Sequence, residues 1–86
     1  MDASLTLLYP NPNNGKFEIH IDGISGSNVE LKLFSILGQH ISSYNLVAEN
    51  GTVHKSIELS PKIAAGTYYL GIYDSKHSAV LEFIKK

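Results

Sequence analysis

Apolar and polar residues alternate along most of the chain, and no stretch carries the apolar stripe expected of an amphipathic helix. The clearest alternation runs from Lys16 to Asp22, where Phe17, Ile19 and Ile21 are separated by charged residues and a histidine. Because neighbouring side chains of a strand point to opposite faces of its sheet, this pattern predicts a strand that is buried on one face only.

Six further segments have strand character, and turn residues separate them. Asn14-Gly15 and Asn50-Gly51 favour positive φ, and Gly38 suits a tight connection. The predicted strands cover residues 5–9, 16–22, 29–34, 39–46, 52–59, 67–73 and 79–84. Strands at a spacing of roughly 8 to 12 residues are typical of a β-sandwich. The predicted fold class is therefore all-β, a seven-stranded antiparallel immunoglobulin-like β-sandwich with Greek-key connections.

Three segments carry more detailed expectations. Residues 67–73 are β-branched, aromatic or aliphatic almost throughout, which predicts a central strand buried on both faces. Residues 60–66 form a loop with room for one helical turn, and Ile63 is expected to contact the core. At the end of the chain, the side chains of Lys85 and Lys86 either lie over the sandwich, contact an acidic receptor surface, or are solvated and frayed, as terminal lysines usually are.

Composition places the chain among folded globular proteins, because 43% of its 86 residues are hydrophobic and 17% are charged. That length allows one core, so residues 1–86 are expected to form a single domain. The formal net charge of −1 creates no field that attracts nucleic acid or anionic lipid. The absence of cysteine excludes disulfides and thiolate metal sites. Because residues 1–4 lack the features of a signal peptide, the chain is expected to be a module excised from a larger secreted protein.

Candidate catalytic and metal-binding residues are few. The histidines share no local ligand spacing, and His20 with Asp22 forms a local pair on one predicted strand face. The four are His20, His40, His54 and His77. No serine lies in a Gly-x-Ser-x-Gly turn, and no glycine-rich loop is placed to bind phosphate. The sequence therefore predicts no enzyme activity, no metal site and no cofactor.

The tyrosines of the sixth segment leave a second function open. Alternation places Tyr69 and Tyr73 on one face of the predicted strand and Tyr68 on the other. Aromatic side chains on a sandwich face can stack on sugar rings, although core packing explains the same residues. A carbohydrate-binding or adhesive module of a secreted protein is accordingly the alternative hypothesis.

Four segments together carry a family resemblance. The first joins Leu8-Tyr9-Pro10-Asn11-Pro12 to Gly15-Lys16-Phe17-Glu18-Ile19, and three others follow it: Phe34-Ser35-Ile36-Leu37-Gly38-Gln39, Leu59 through Ala65-Gly66-Thr67-Tyr68-Tyr69-Leu70, and Phe83-Ile84-Lys85-Lys86. In this order and spacing, the chain resembles the type A C-terminal sorting domain of the type IX (Por) secretion system. It departs from the family pattern at Gln39 and Glu82, where the family is often more basic.

The resemblance implies a function that composition does not show. Such a domain is a sorting signal on a cargo protein: the outer-membrane translocon of the type IX system recognises it, and a sortase-like cysteine peptidase usually removes it after export. The cargo becomes secreted or attached to the cell surface, by way of the periplasm and the outer membrane. The implied partners are therefore translocon components, the peptidase and an N-terminal cargo domain, with no nucleic acid and with the oligomeric state left open.

The family segments supply the candidate sorting-signal residues, which are Tyr9, Pro10, Asn11, Pro12, Gly15, Gly38, Gly66, Tyr68, Lys85 and Lys86. Proline fixes φ, so the Pro10-Asn11-Pro12 turn either pre-orders a recognition loop or simply connects two strands. Gly66 is expected to serve backbone geometry. If the strand at residues 5–9 lies at a sheet edge, it offers a pairing surface to a second copy of the chain.

Overall fold

The computed structural model describes residues 5–86, and seven strands lie in this range. The strands are β1 (Leu5–Tyr9), β2 (Lys16–Asp22), β3 (Asn28–Ser35), β4 (His40–Val47), β5 (Thr52–Glu58), β6 (Gly66–Tyr73) and β7 (Ser78–Lys85). All seven correspond to predicted segments, and β1 and β2 have the predicted bounds. None of residues 5–86 forms a helix, and so none forms one that is long and apolar enough to span a membrane.

The strands form two antiparallel sheets, as the alternation and the turn spacing predict. One sheet has the order β1-β2-β5 and the other the order β4-β3-β6-β7. The pairs β2/β5 and β3/β6 join strands that are distant in the chain, which is the Greek-key arrangement of an immunoglobulin-like sandwich. β1 lies at the edge of its sheet, which is the position that the sequence analysis required for pairing with a second copy.

The turn at Asn50-Gly51 carries the chain from the second sheet to the first. Asn50 has a φ of 54° and Gly51 a φ of 78°, which is the conformation expected of a two-residue turn of type I′. Glu49 and Thr52 exchange backbone hydrogen bonds of 2.9 and 3.0 Å across it. Beyond this turn, β5 pairs with β2 of the first sheet and not with β4.

The core lies between the two sheets and is built from the inward residues of the alternating strands. Ile19 and Ile21 from β2 meet Leu31, Leu33 and Ile72 from the facing sheet, and all five are fully buried. Burying such side chains supplies most of the folding free energy of a domain without disulfides.

Two local predictions are wrong. β6 is a central strand as predicted, but its outer face is only half-buried, because Tyr69 and Tyr73 lie there. β4 begins at His40, within one residue of the predicted start, and carries a bulge between the partners of Leu33 and Phe34, where its pairing with β3 shifts. The helical turn considered for residues 60–66 is absent. A hydrogen bond of 3.0 Å from the Ile63 N–H to the Ser60 carbonyl closes a turn there, and Ile63 packs on the core as expected.

Candidate functional site

One end of the sandwich collects the four sequence segments that carry the family resemblance. β1, β3, β5 and β7 end there, whereas β2, β4 and β6 begin there. We call this region the motif end and define it by the loops 10–15, 36–39 and 59–65 together with residues 84–86. Strand pairing alone therefore brings together residues that are separated by more than 70 positions in the chain.

The loop 10–15 holds the C-terminal strand in place through three hydrogen bonds. The N–H of Asn13 donates to the carbonyl of Ile84 (3.0 Å), and the N–H of Lys86 donates to the carbonyl of Asn13 (2.7 Å). The N–H of Ile84 donates to the Oδ1 atom of Asn11 (3.0 Å). We call these contacts the loop–tail clamp. The expectation that Lys85 and Lys86 are frayed is therefore wrong, because their backbone is bonded to a loop near the start of the chain.

Asn13 is the central residue of the clamp, and sequence reasoning missed it. The residue as a whole is 2% exposed, and it is the one polar residue among the described positions whose backbone and side chain are together buried. Its Nδ2 group donates to the Pro10 carbonyl (3.0 Å), and its Oδ1 atom accepts from the Gly15 N–H (2.9 Å). The sequence does contain a signal for this role: an asparagine lies two residues before a glycine in a proline-containing turn. Asn side chains in turns often bond the nearby backbone.

Gly15 allows the end of the chain to approach the loop closely. Its φ is 103°, a conformation that side chains rarely adopt, and a Cβ atom built on it would lie 3.0 Å from the Cε atom of Lys85. The Gly15 carbonyl also accepts the N–H of Leu59 at 2.8 Å, which connects the loop 59–65 to the same point. The aliphatic part of the Lys85 side chain thus passes over Gly15, while the residue remains partly exposed.

Tyr68 supports the motif end from within the core. Its ring is buried, stacks on Phe83 at a centroid distance of 6.0 Å, and its hydroxyl donates to the Ala64 carbonyl at 2.5 Å. The tyrosine thereby fixes the loop 59–65, and its ring is not a surface feature. Gly66 is exposed and pairs with Lys85 across the sheet.

The turn between β3 and β4 is the third part of the motif end. Ser35 organises it: its Oγ atom accepts the N–H groups of Leu37 and Gln39 (3.2 Å each), and its carbonyl accepts the N–H of Gly38 (2.9 Å). Gly38 has a φ of 84°, as predicted for a tight connection. Ile36 and Leu37, at the tip, are 62% and 83% exposed.

The remaining predicted residues form the exposed rim of the clamp. Pro10, Asn11 and Pro12 are exposed, and the peptide bonds that precede the two prolines are cis. The Tyr9 hydroxyl lies 3.4 Å from the Nε2 atom of His54. An open depression of about 400 Å³ lies beside Tyr9 and Pro10 and reaches to the end of β5.

The outer face of the first sheet places ionisable side chains from β2 and β5 side by side. His20 lies directly opposite His54, Glu18 lies opposite Ser56, and Asp22 accepts a hydrogen bond from Thr52. The His20–Asp22 pair predicted from alternation is present at 3.3 Å. The contact of His54 with Glu18, also at 3.3 Å, was not predicted because it depends on the register of two distant strands.

These polar groups are not arranged as catalytic machinery. Both Ser56 and His54 bond to the carboxylate of Glu18, so the serine hydroxyl faces a weak base and not the imidazole that activates a nucleophile. Among residues 5–86, no group of three or more histidine and carboxylate side chains is arranged to hold a metal ion.

The tyrosines of β6 give no support to the carbohydrate-binding hypothesis. The Tyr73 ring is folded down over Gly71, where an added Cβ atom would lie 2.6 Å from the tyrosine hydroxyl. The Nζ atom of Lys32 lies 5.4 Å from the centre of this ring, within the range of a cation–π contact. The ring is thus engaged with its own sheet.

Asp74 holds the opposite end of the sandwich. Its carboxylate accepts the N–H groups of Ser25 (2.9 Å), Lys76 (2.9 Å) and His77 (2.6 Å), and its side chain is inaccessible to solvent. Burial raises the pKa of this carboxyl, but the three backbone N–H groups and the His77 ring together outweigh burial and lower the pKa to about 2. The bond to Ser25 ties the β2–β3 loop to the β6–β7 turn.

A family model described as the secretion system C-terminal sorting domain matches residues 7–86. This range contains the whole motif end, including the clamp, the hairpin tip and the terminal lysines. No curated protein matches the chain. Because the match spans nearly all of the chain and the seven-stranded sandwich agrees with the resemblance, the chain belongs to the family of C-terminal sorting domains of the type IX secretion system.

Proposed function

We propose that the domain directs the export of a cargo protein across the outer membrane, because the type IX translocon binds its motif end. The observation that carries this proposal is the loop–tail clamp, which fixes Asn11, Asn13 and the residues from Ile84 to Lys86 in one rigid arrangement. Recognition residues that are already ordered lose little conformational entropy when a partner binds. The surface read by the translocon comprises the rim 9–12, the hairpin tip and the terminal lysines.

The strand order supports attachment of the cargo at the other end of the molecule. β1 begins at the end opposite to the motif end, at the side where Asp74 lies. Eight-residue strands such as β7 span about 26 Å at about 3.3 Å per residue, so a cargo joined ahead of β1 leaves the motif end accessible. A sortase-like cysteine peptidase then cleaves the connection ahead of β1, and the cargo is released or retained at the cell surface. The domain itself contributes recognition and no catalysis.

The proposal is tested by export of a reporter. Residues 2–86 are fused behind a fluorescent protein that is directed to the periplasm of a host with a type IX system, and surface and medium fluorescence are compared with those of a translocon-deficient strain. We expect export in the competent strain only. Equal retention in the periplasm of both strains, with circular dichroism showing a folded β domain, would overturn the proposal.

A further inference from the structure

Two adjacent aliphatic side chains stand at the tip of the β3–β4 hairpin. Leu37 is 83% exposed, the highest value among the large hydrophobic residues at positions 6–86, and its neighbour Ile36 is 62% exposed. Neither belongs to the core or packs against it. Tight turns usually carry Gly, Asn, Asp or Ser, so the geometry of this turn does not explain an isoleucine and a leucine here.

The backbone of the tip is fixed by internal hydrogen bonds. Ser35 accepts the N–H groups of the three residues after Ile36, and the Ser35 N–H donates to the Gln39 carbonyl at 2.9 Å. A Cβ atom on Gly38 would meet nothing within 4 Å, so the tip projects from the body of the domain. The two side chains are therefore presented in a defined position, and little backbone entropy is lost when they are bound.

The tip differs from the other exposed aliphatic residues. Val47 and Val80 are 71% and 63% exposed, but each is a single valine on the outward side of a strand. Single exposed aliphatic residues are normal on protein surfaces. At the tip, two larger side chains are adjacent, protrude, and lie at the same end of the sandwich as the loop–tail clamp.

We propose that Ile36 and Leu37 are the apolar anchor of the domain and insert into a hydrophobic pocket on a protein of the export machinery. The proposal rests on the proposed function and names one contact within it. A pair of aliphatic side chains on a rigid projection fits a concave apolar site. Water is excluded from the interface when the two side chains enter that site.

The residues around the tip favour a protein pocket over a lipid surface. Segments that bind membranes through apolar side chains usually carry lysine or arginine beside them. Here the flanking residues are Ser35, Gln39 and His40, and the His40 ring is engaged with the Ser43 hydroxyl at 2.8 Å and with the ring of Phe34. The rim of the complementary pocket is therefore expected to be polar and uncharged.

The test uses the same reporter fusion, which carries residues 2–86. The double variant Ile36→Ser/Leu37→Ser is compared with the matched control Val47→Ser/Val80→Ser, which also replaces two exposed aliphatic residues. We expect export of the tip variant to fall at least tenfold, and export of the control to stay within twofold of the unchanged chain. Both purified variants should keep the melting temperature of the unchanged domain, since none of the four side chains belongs to the core.

The outcomes separate the anchor from the proposed function. Export of the unchanged domain together with loss in the tip variant supports the anchor, and rescue by Leu37→Met in place of Leu37→Ser would support its apolar character. Normal export of the tip variant overturns the anchor and leaves the sorting function intact. Retention of the unchanged domain overturns both. If the purified domain binds phosphatidylethanolamine–phosphatidylglycerol vesicles and the tip variant does not, the protein pocket is overturned in favour of a lipid surface.

Discussion

Replacement of Asn13 by alanine should weaken the loop–tail clamp and the whole domain by about 2 kcal/mol. The substitution removes the acceptor of the buried Gly15 N–H and the donor to the Pro10 carbonyl. A buried group that loses its partner destabilises by about 1 to 3 kcal/mol, whereas the carbonyl of the exposed Pro10 can be hydrated and costs about 1 kcal/mol or less. In a domain of this size, 2 kcal/mol lowers the melting temperature by about 10 °C.

Urea denaturation measures the predicted change in the free energy of unfolding. Asn14→Ala is the matched control, because Asn14 is exposed and accepts one hydrogen bond, from the Lys16 N–H at 3.3 Å. We expect the control to change stability by less than about 0.5 kcal/mol. Equal midpoints for the two variants, or an Asn13→Ala midpoint equal to that of the unchanged domain, would refute the role assigned to Asn13.

Hydrogen exchange locates the effect of the same substitution. The N–H groups of Ile84 and Lys86 donate to the loop 10–15, so they should exchange faster in Asn13→Ala than global destabilisation alone explains. The Ser25 N–H, bonded to Asp74 at the opposite end, serves as the internal reference. If all three amides change by the same factor, the clamp does not open locally and the interpretation of the contacts is wrong.

Three further predictions concern the residues that fix the two ends. The Asp74 pKa is about 2 in the folded domain against a usual value of 3.8, so its stabilising contribution is present above pH 4 and disappears as the pH falls towards 2. Urea midpoints between pH 5 and pH 2 should therefore fall less steeply in Asp74→Asn. Gly15→Ala should destabilise more than Gly38→Ala in urea, because both have positive φ but Gly38 has open space around it. Tyr68→Phe should lower the free energy of unfolding in urea by about 1 kcal/mol, because the bond to the Ala64 carbonyl is removed and the ring packing is kept. The loop 59–65 should also become more sensitive to proteases.

The strands could be predicted from the sequence because each depends on its own alternation or apolar run and on the turn residues that bound it. Lys16–Asp22 is the clearest example, and its inward residues are the buried ones. Local reasoning failed where a non-local feature decides the structure. The bulge in β4 was not predicted, because it depends on how β4 pairs with β3. Alternation grouped Tyr69 and Tyr73 on one face of residues 67–73, but the apolar character of this segment did not show that this face is only half-buried.

The candidate site was only partly predictable, because its parts meet through tertiary structure. The prolines, the glycines and the terminal lysines could be named one by one from the family segments. Their association depends on Asn13, whose backbone pairs with a strand that ends more than 70 residues later. No local pattern in the sequence predicts such a contact. Because terminal residues are usually mobile, local reasoning favoured an end of the chain that is not bonded to the loop.

The two ends of the sandwich are held by separate sets of hydrogen bonds, which makes stability and recognition separable. Asn11 and Asn13 join the sheets at the motif end, and Asp74 joins two connections at the opposite end, about a strand length away. Effects of substitutions at such a distance are usually additive. A variant at Asp74 that is as unstable as Asn13→Ala therefore leaves the motif end intact. If export falls for Asn13→Ala and not for the equally destabilised Asp74 variant, the translocon reads the geometry of the motif end. If export falls equally for both, it depends on the stability of the domain as a whole.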